Sequence, residues 1–203
     1  SECVVLNCGY ISASPAGAGY GQLNISVGPE SGGGRALHLT SEHTMIDVCR
    51  QLRNSPTTTG KPYAGIELNV LSHACLIRDT ATIQNVYLHE QASIQAATSV
   101  SNATLLPTAS IGNSCTVSNV LLQWNTSIMD HSTITDTLLM EHAHCGPSSI
   151  VTSSVLGPDV HASAGEVQAS VIGPNTNAHH QSLVIGVLWP MGRGNVGYGA
   201  NVG

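Results

Sequence analysis

Histidine is the residue type that this chain gathers in one stretch. Of its ten His, six lie between positions 131 and 180. His144 and His161 are seventeen residues apart, and so are His142 and Asp159; sixteen residues further on stand Asn175 and Asn177. His179 and His180 follow closely, and Glu166 lies between the two groups. Imidazole acts as a general base near neutral pH and as a zinc ligand. As a base, His144, His161 or His180 would take a proton from a hydroxyl or amine, with Glu166 or Asp159 orienting the ring. As a divalent metal site, His144 and His161 would supply two ligands to one zinc ion, with His179 or a carboxylate as the third. The bland alternative is a polar face whose side chains only hydrogen-bond to one another.

A spacing of seventeen has chemical meaning only if the chain returns to the same place every seventeen residues. The apolar residues say that it does. Leu71, Leu88, Leu105, Leu122, Leu139 and Leu156 keep this period, as do Ile77, Ile94, Ile111, Ile128 and Cys145, and Ile83, Val100, Val117, Ile134 and Val151. Within one period the steps are six, six and five, and a small residue sits two before the last two columns: Ala92, Ala109, Thr126 and Ala143, then Ala81, Thr98, Cys115, Ser132 and Ser149. Alternate residues of a strand share a face, so each small–x–aliphatic unit is one inward-facing side and the loose residues turn a corner. Three sides make a coil. A single coil cannot bury its apolar side, but a stack buries a continuous core. The columns have no 3.6-residue period, which excludes helices here. The expected fold is all-β: a parallel β-helix of about seven coils, 16–17 residues each, over residues 63–186.

Leu88-His89-Glu90-Gln91-Ala92-Ser93-Ile94 and Ile111-Gly112-Asn113-Ser114-Cys115-Thr116-Val117 carry the hexapeptide pattern. Over roughly residues 66–186 the chain resembles the left-handed β-helix, hexapeptide-repeat (LpxA-like) superfamily, and the segments 157–161 and 179–183 look like an uncharacterised hexapeptide family within it. The left hand is implied by the resemblance; crossover connections in general are right-handed. The resemblance also implies a homotrimer with a site between subunits. It covers acyltransferases with one outward His base, γ-class carbonic anhydrases, and C-terminal domains of sugar nucleotidyltransferases. The carbonic anhydrase pattern is incomplete: His144 and His180 have its two-coil gap, but no His lies five residues from either, and the partner of His161 at that distance is Glu166.

Placed on the coils, the chemical residues form a grid. Outward pairs run Gln91 and Ser93, Thr108 and Ser110, Asn125 and Ser127, then His142 and His144, Asp159 and His161, Asn175 and Asn177. Ladder neighbours should be about 5 Å apart. His179 and His180 belong to the next corner. Near Ala162 the hexad breaks, and a strict count would place Glu166 inside, where a carboxylate is costly; either the backbone slips or Glu166 serves a site.

Residues 1–62 read as a capping segment: short β-like runs at 3–6, 22–27 and 35–39, then one helix at 41–53 with Thr40 or Ser41 as its cap and a boundary near Pro62. The Gly-rich run at Ser31–Arg35 is a weak anion-cradle candidate. An outward apolar column, Val70, Tyr87, Leu121, Leu138 and Val155, needs a cover: either a neighbouring subunit or the N-terminal segment. Residues 187–203 lose the repeat and read as a Gly-rich loop packed by Trp189 and Pro190; its GxGxxG string lacks a strand–turn–helix context. The chain lacks an initiating Met, which suggests a piece of a longer protein.

Charged residues make up 9% of the chain and the formal net charge is -6, so no basic surface invites nucleic acid. No apolar run is long enough for a membrane span. Cys75, Cys115 and Cys145 fall in inward columns as small hydrophobes; with no CxxC, no disulfide framework is expected, and the compartment reads as reducing and cytoplasmic. The sequons at Asn24, Asn102 and Asn125 are then idle. Three functions remain: a transferase acting on a sugar-like or nucleotide-sugar substrate with a His base, a metal-dependent hydrolase or lyase, or a non-catalytic oligomerising or regulatory module of a larger nucleotidyltransferase-like protein.

Overall fold

The computed structural model describes residues 3–12, 22–29, 34–54 and 69–203. The chain winds into a parallel β-helix of about eight turns. One side is a nine-stranded sheet from Val4–Leu6 to Gly194–Val196, and a thirteen-stranded sheet wraps the second and third sides. The predicted columns are ladders. Ile77, Ile94, Ile111, Ile128 and Cys145 pair in succession, and Leu88, Leu105, Leu122, Leu139 and Leu156 do the same on the third side. All ten are at most 1% exposed.

Each corner needs a residue with positive φ. One corner column reads Asn85, Asn102, Asn119 and Asp136, with φ of 52°, 50°, 53° and 50°. Asn and Asp tolerate this conformation best among residues with a side chain. Their side chains also join vertically: each Asn Nδ2 donates to the Oδ1 above it, at 3.0, 2.9 and 3.0 Å. Asn102 is therefore engaged in the ladder.

The solenoid starts earlier than expected. Val4–Leu6 pairs with Leu76–Arg78 and Tyr10–Ser12 with Thr82–Gln84, both parallel, at an offset of 72 residues. That offset is one seventeen-residue coil plus 55 inserted residues. The third side of this first coil is Val70–Leu71, which pairs with Tyr87–Leu88. Residues 3–12 are thus coil rather than a separate cap, and the chain leaves the coil to build an insertion. Cys3 and Cys75 are ladder neighbours joined by a disulfide, Cα–Cα 4.6 Å. This corrects the reading of Cys75 as a free small hydrophobe; Cys115 and Cys145 are free and buried.

Within the insertion, Gln22–Val27 and Arg35–Thr40 form an antiparallel hairpin, followed by the helix Met45–Asn54. The cap is Thr44, not Thr40 or Ser41: the Thr44 N–H and hydroxyl donate to Asp47 Oδ2 at 3.0 and 2.7 Å, and the Asp47 N–H donates back to Thr44 Oγ1 at 3.4 Å. This is a reciprocal capping box. Leu23, Ile25, Leu37, Leu39, Met45, Val48 and Leu52 form one cluster with Leu121, Leu138, Met140, Val155 and Val171 of the third side. The chain itself covers the outward apolar column over these coils, which removes the column as an argument for a trimer. Buried Gln123 fixes the seam: its Nε2 donates to the carbonyls of Ser41 and His43 at 3.0 and 2.8 Å, and its Oε1 accepts from the Glu141 N–H at 3.1 Å.

The ladder also runs past residue 186. Leu188–Trp189, Gly194–Val196 and Asn201–Val202 add to the three sides. Pairing is seventeen residues apart at Trp189 but eighteen at Gly194, so the corner between them holds one extra residue. The segment expected to be a loop is a coil, and its GxGxxG string contains a strand. Upstream, the hexad breaks because a corner loses a residue: Cys145 pairs with Ala162 at seventeen, but Val151 pairs with Val167 at sixteen. The backbone slip keeps Val167 inside and leaves Glu166 and Gln168 outside. Gly165 permits this tight corner, since a Cβ there would lie 2.6 Å from the Ser182 carbonyl oxygen. Residues 31–33 of the proposed anion cradle and the boundary at Pro62 lie outside the described residues. No described helix is long and apolar enough to cross a membrane.

Candidate functional site

The His grid lies on the first side of the coil. His144–Cys145 pairs with Ser127–Ile128 on one edge and His161–Ala162 on the other, and His161 pairs in turn with Asn177. As the seventeen-residue count requires, His144 and His161 are direct ladder neighbours, with ring centroids 4.9 Å apart and planes at 56°. The row continues around the corner: His161 to His179 is 6.3 Å and His179 to His180 is 5.7 Å. Four imidazoles therefore form one connected band.

His142, Asp159 and Asn175 occupy a corner column, with φ of 58°, 55° and 54°. Their identities follow partly from the backbone, because His, Asp and Asn are enriched in this conformation. His144, His161 and Asn177 are strand residues, and no such rule accounts for them. They stand where earlier coils carry Ser93, Ser110 and Ser127.

The Ser127 Oγ lies 2.6 Å from His144 Nδ1, which fixes the ring and leaves Nε2 as the remaining polar atom. Burial holds the His144 pKa below the usual imidazole value, the neighbouring His161 and His142 lower it further, and Asp159 opposes them. Burial also lowers His179, with His180 and His161 adding to the effect. Where a pKa is lowered the ring is neutral near pH 7 and can accept a proton.

Glu166 is not part of this band. It sits on the second side, paired between Ile150 and Leu183. Among the described residues the two ion pairs are Arg50–Asp47 and Arg78–Asp79, and neither involves a His. Nor do three His, Cys, Asp or Glu of the described residues group closely enough to hold a metal ion; His144, His161 and His179 form a row rather than a cage.

The grid gains a member that the sequence hid. Asp159, His161, Asn175, Asn177 and Arg193 line a shallow cavity of about 380 Å³. Arg193 belongs to the coil after Asn175, beyond the extra residue in the last corner, so a fixed period does not reach it. A guanidinium beside imidazole and carboxamides suits an anion with several oxygens, phosphate above all, with the Asp159 carboxylate opposing it.

Comparison with known families decides the membership of the chain. A family model described as the GMPPB C-terminal domain matches residues 65–181, more than half of the chain. The chain belongs to this family. The GMPPB C-terminal domain match spans the coils that carry His142, His144, Asp159, His161, Asn175 and Asn177, and it excludes the strands at 4–6 and 10–12, the hairpin, the helix and Arg193. No curated protein and no solved structure matches the chain.

Proposed function

We propose that this chain is a ligand-binding β-helix module of a nucleotidyltransferase-like protein, and that it holds a phosphate-bearing, sugar-like ligand on the face of His144, His161 and Arg193. The family membership links the chain to nucleotidyltransferase-like proteins. The observation that carries the ligand class is the cavity where Arg193 meets His161, Asn175 and Asn177. Asp159 in the same wall accepts hydrogen bonds from hydroxyls, so the site suits a ligand that carries hydroxyls beside its phosphate. Binding fits this face better than catalysis, since the cavity is shallow and Glu166, one of the two carboxylates expected to orient a His base, lies on another side, while the other, Asp159, faces the cavity beside Arg193. A transferase reading retains one support, the neutral His144 held by Ser127; loss of a measured transfer activity in His144→Ser at unchanged ligand affinity would favour it.

Sulfate is the cleanest probe of the anion site, because its charge is constant between pH 6 and 8. Calorimetry on the full chain should show sulfate binding that tightens as pH falls and the imidazoles charge. Arg193→Ser, and His144→Ser with His161→Ser, should each weaken it about ten-fold or more, the loss of one charge-assisted contact. At pH 8 their melting temperatures should match the parent, because Ser occupies the positions of His144 and His161 in earlier coils and Arg193 is exposed. Absence of sulfate binding, or binding indifferent to both variants, defeats the proposal.

A further inference from the structure

The imidazole band has a property that anion binding does not use. His144 and His161 stand on adjacent rungs of one ladder. Their ring centroids are 4.9 Å apart and the planes are tilted at 56°. An ion bound about 2.1 Å from an imidazole nitrogen lies about 3.2 Å from the centre of that ring, because the nitrogen is itself about 1.1 Å from the centre. Two rings on one ion therefore have centroids about 4.5 Å apart at a right angle and about 5.2 Å apart at the tetrahedral angle. The His144–His161 separation falls between these limits. His161–His179 at 6.3 Å and His179–His180 at 5.7 Å fall outside them. The band thus holds one pair at chelating distance, and three ligands do not converge among the described residues.

The backbone sets this separation. Rungs about 4.8 Å apart hold any two ladder neighbours at such a spacing, so no element has to move to close the pair. His144 is oriented as well. With its Nδ1–H donating to Ser127 Oγ at 2.6 Å, Nε2 carries the free lone pair. A hydrogen bond to the second ring nitrogen is what fixes the tautomer and direction of a metal-bound imidazole. Asp159 lines the cavity beside His161, and its carboxylate offsets the charge of a cation at the pair. The neighbouring rungs offer only the Ser127 hydroxyl on one edge and the Asn177 carboxamide on the other, so the imidazole ligands are confined to two rungs.

We infer that His144 and His161 together bind one divalent transition-metal ion, with water completing its coordination. Two imidazoles select an ion such as zinc or copper over Mg²⁺ and Ca²⁺, which take oxygen ligands. The γ-class carbonic anhydrase pattern is different, since it needs a His five residues from one of the pair. The inference stands apart from the anion site. Arg193 lines the anion cavity and repels a cation. Protons compete with a metal for imidazole, so metal affinity falls with pH where sulfate affinity rises.

Calorimetry of the full chain with Cu²⁺, Ni²⁺, Zn²⁺ and Mg²⁺ in a non-coordinating buffer tests this, with electron paramagnetic resonance reporting the nitrogen ligands of bound copper. Copper should bind most tightly of the four, through two imidazole nitrogens, and more weakly at pH 6 than at pH 7.5. His144→Ser and His161→Ser should each lower copper affinity about ten-fold or more. Ser127→Ala should lower it about ten-fold, the usual loss when the partner of a metal-bound imidazole is removed. His179→Ser and Arg193→Ser should not weaken it by more than about two-fold. All five side chains lie outside the solenoid core, and melting temperatures at pH 8 check that each variant is folded. Copper binding that survives both single-His variants, that falls as far in His179→Ser, or that Mg²⁺ at equal concentration displaces overturns the inference. If copper binds through His144 and His161 while sulfate does not bind, the metal site stands and the anion reading falls. If sulfate binds and copper does not, the metal site is overturned and the anion reading survives.

Discussion

His144 carries two constraints that Ser110 and Ser127, its counterparts in earlier coils, do not: it must hold an aromatic ring against His161, and it must remain largely neutral where burial disfavours charge. The second constraint predicts a pH dependence of stability. An unfolded His titrates near 6.5. In the folded chain the His144 and His179 pKa values are lowered, so below the unfolded value the unfolded chain binds more protons than the folded one. Stability contributed by the neutral rings is therefore present above pH 6.5, declines as pH falls through that value toward the folded pKa, and declines no further below it. His144→Ser should leave the melting temperature unchanged at pH 8 and make its acid-side decline shallower between pH 6.5 and 5. Parallel melting curves for parent and variant over that range would show that His144 is not held neutral by the fold. The sequence made the His144–His161 contact legible, since ladder position follows from period alone. It could not separate the strand residues, which need a functional reason, from His142, Asp159 and Asn175, whose types suit positive-φ corners. That distinction depends on backbone angles.

Among the elements, the hairpin and helix are the largest departure from the repeat. Their alternations, Leu23-x-Ile25-x-Val27 and Leu37-x-Leu39, announce one apolar face, and the outward column of the solenoid announces another. Nothing in one sequence says that the two faces meet, because a neighbouring subunit would satisfy the same pattern. The contact is made at Leu121, Leu138 and Val155, with Gln123 as a polar anchor. Leu138 is fully buried in this seam. Leu138→Ala should cost about 2–5 kcal/mol, the usual range for a buried Leu truncation. The cost falls mainly on docking, so hydrogen exchange should rise in residues 22–54 before it rises in the coils. Uniform acceleration across coils and insertion alike would show that the insertion is inseparable from the solenoid core. The first coil was missed for a related reason. Cys3-x-Val5 and Gly9-x-Ile11 obey the small–x–aliphatic pattern with the six-residue step, but an insertion of 55 residues puts them out of step with the later coils, and a period search does not bridge such a gap.

At the scale of the whole molecule, each coil contacts only its neighbours, so the effect of a lesion depends on its place in the stack. Leu122 lies in a central coil with a full column above and below it. Leu122→Asp buries an unpaired charge there, which is among the few mechanisms that exceed about 4 kcal/mol, and it should prevent cooperative folding. The end coil is a different case. Its apolar residues are already partly open, with Val5 40% and Ile11 46% exposed, and its strands are held to one neighbour and by Cys3–Cys75. That disulfide spans 72 residues of sequence, so loop-closure entropy assigns it about 4.4 kcal/mol. Much of this should be local, because the insertion is also tied to the third side without it. Cys3→Ser, or treatment with a dithiol reductant, should therefore raise hydrogen exchange in residues 3–12 and 70–78 and leave the coils around Leu122 protected. Loss of protection at Leu122 in the reduced chain would mean that the stack is one cooperative unit and that the disulfide stabilises all of it, which a nearest-neighbour solenoid does not allow.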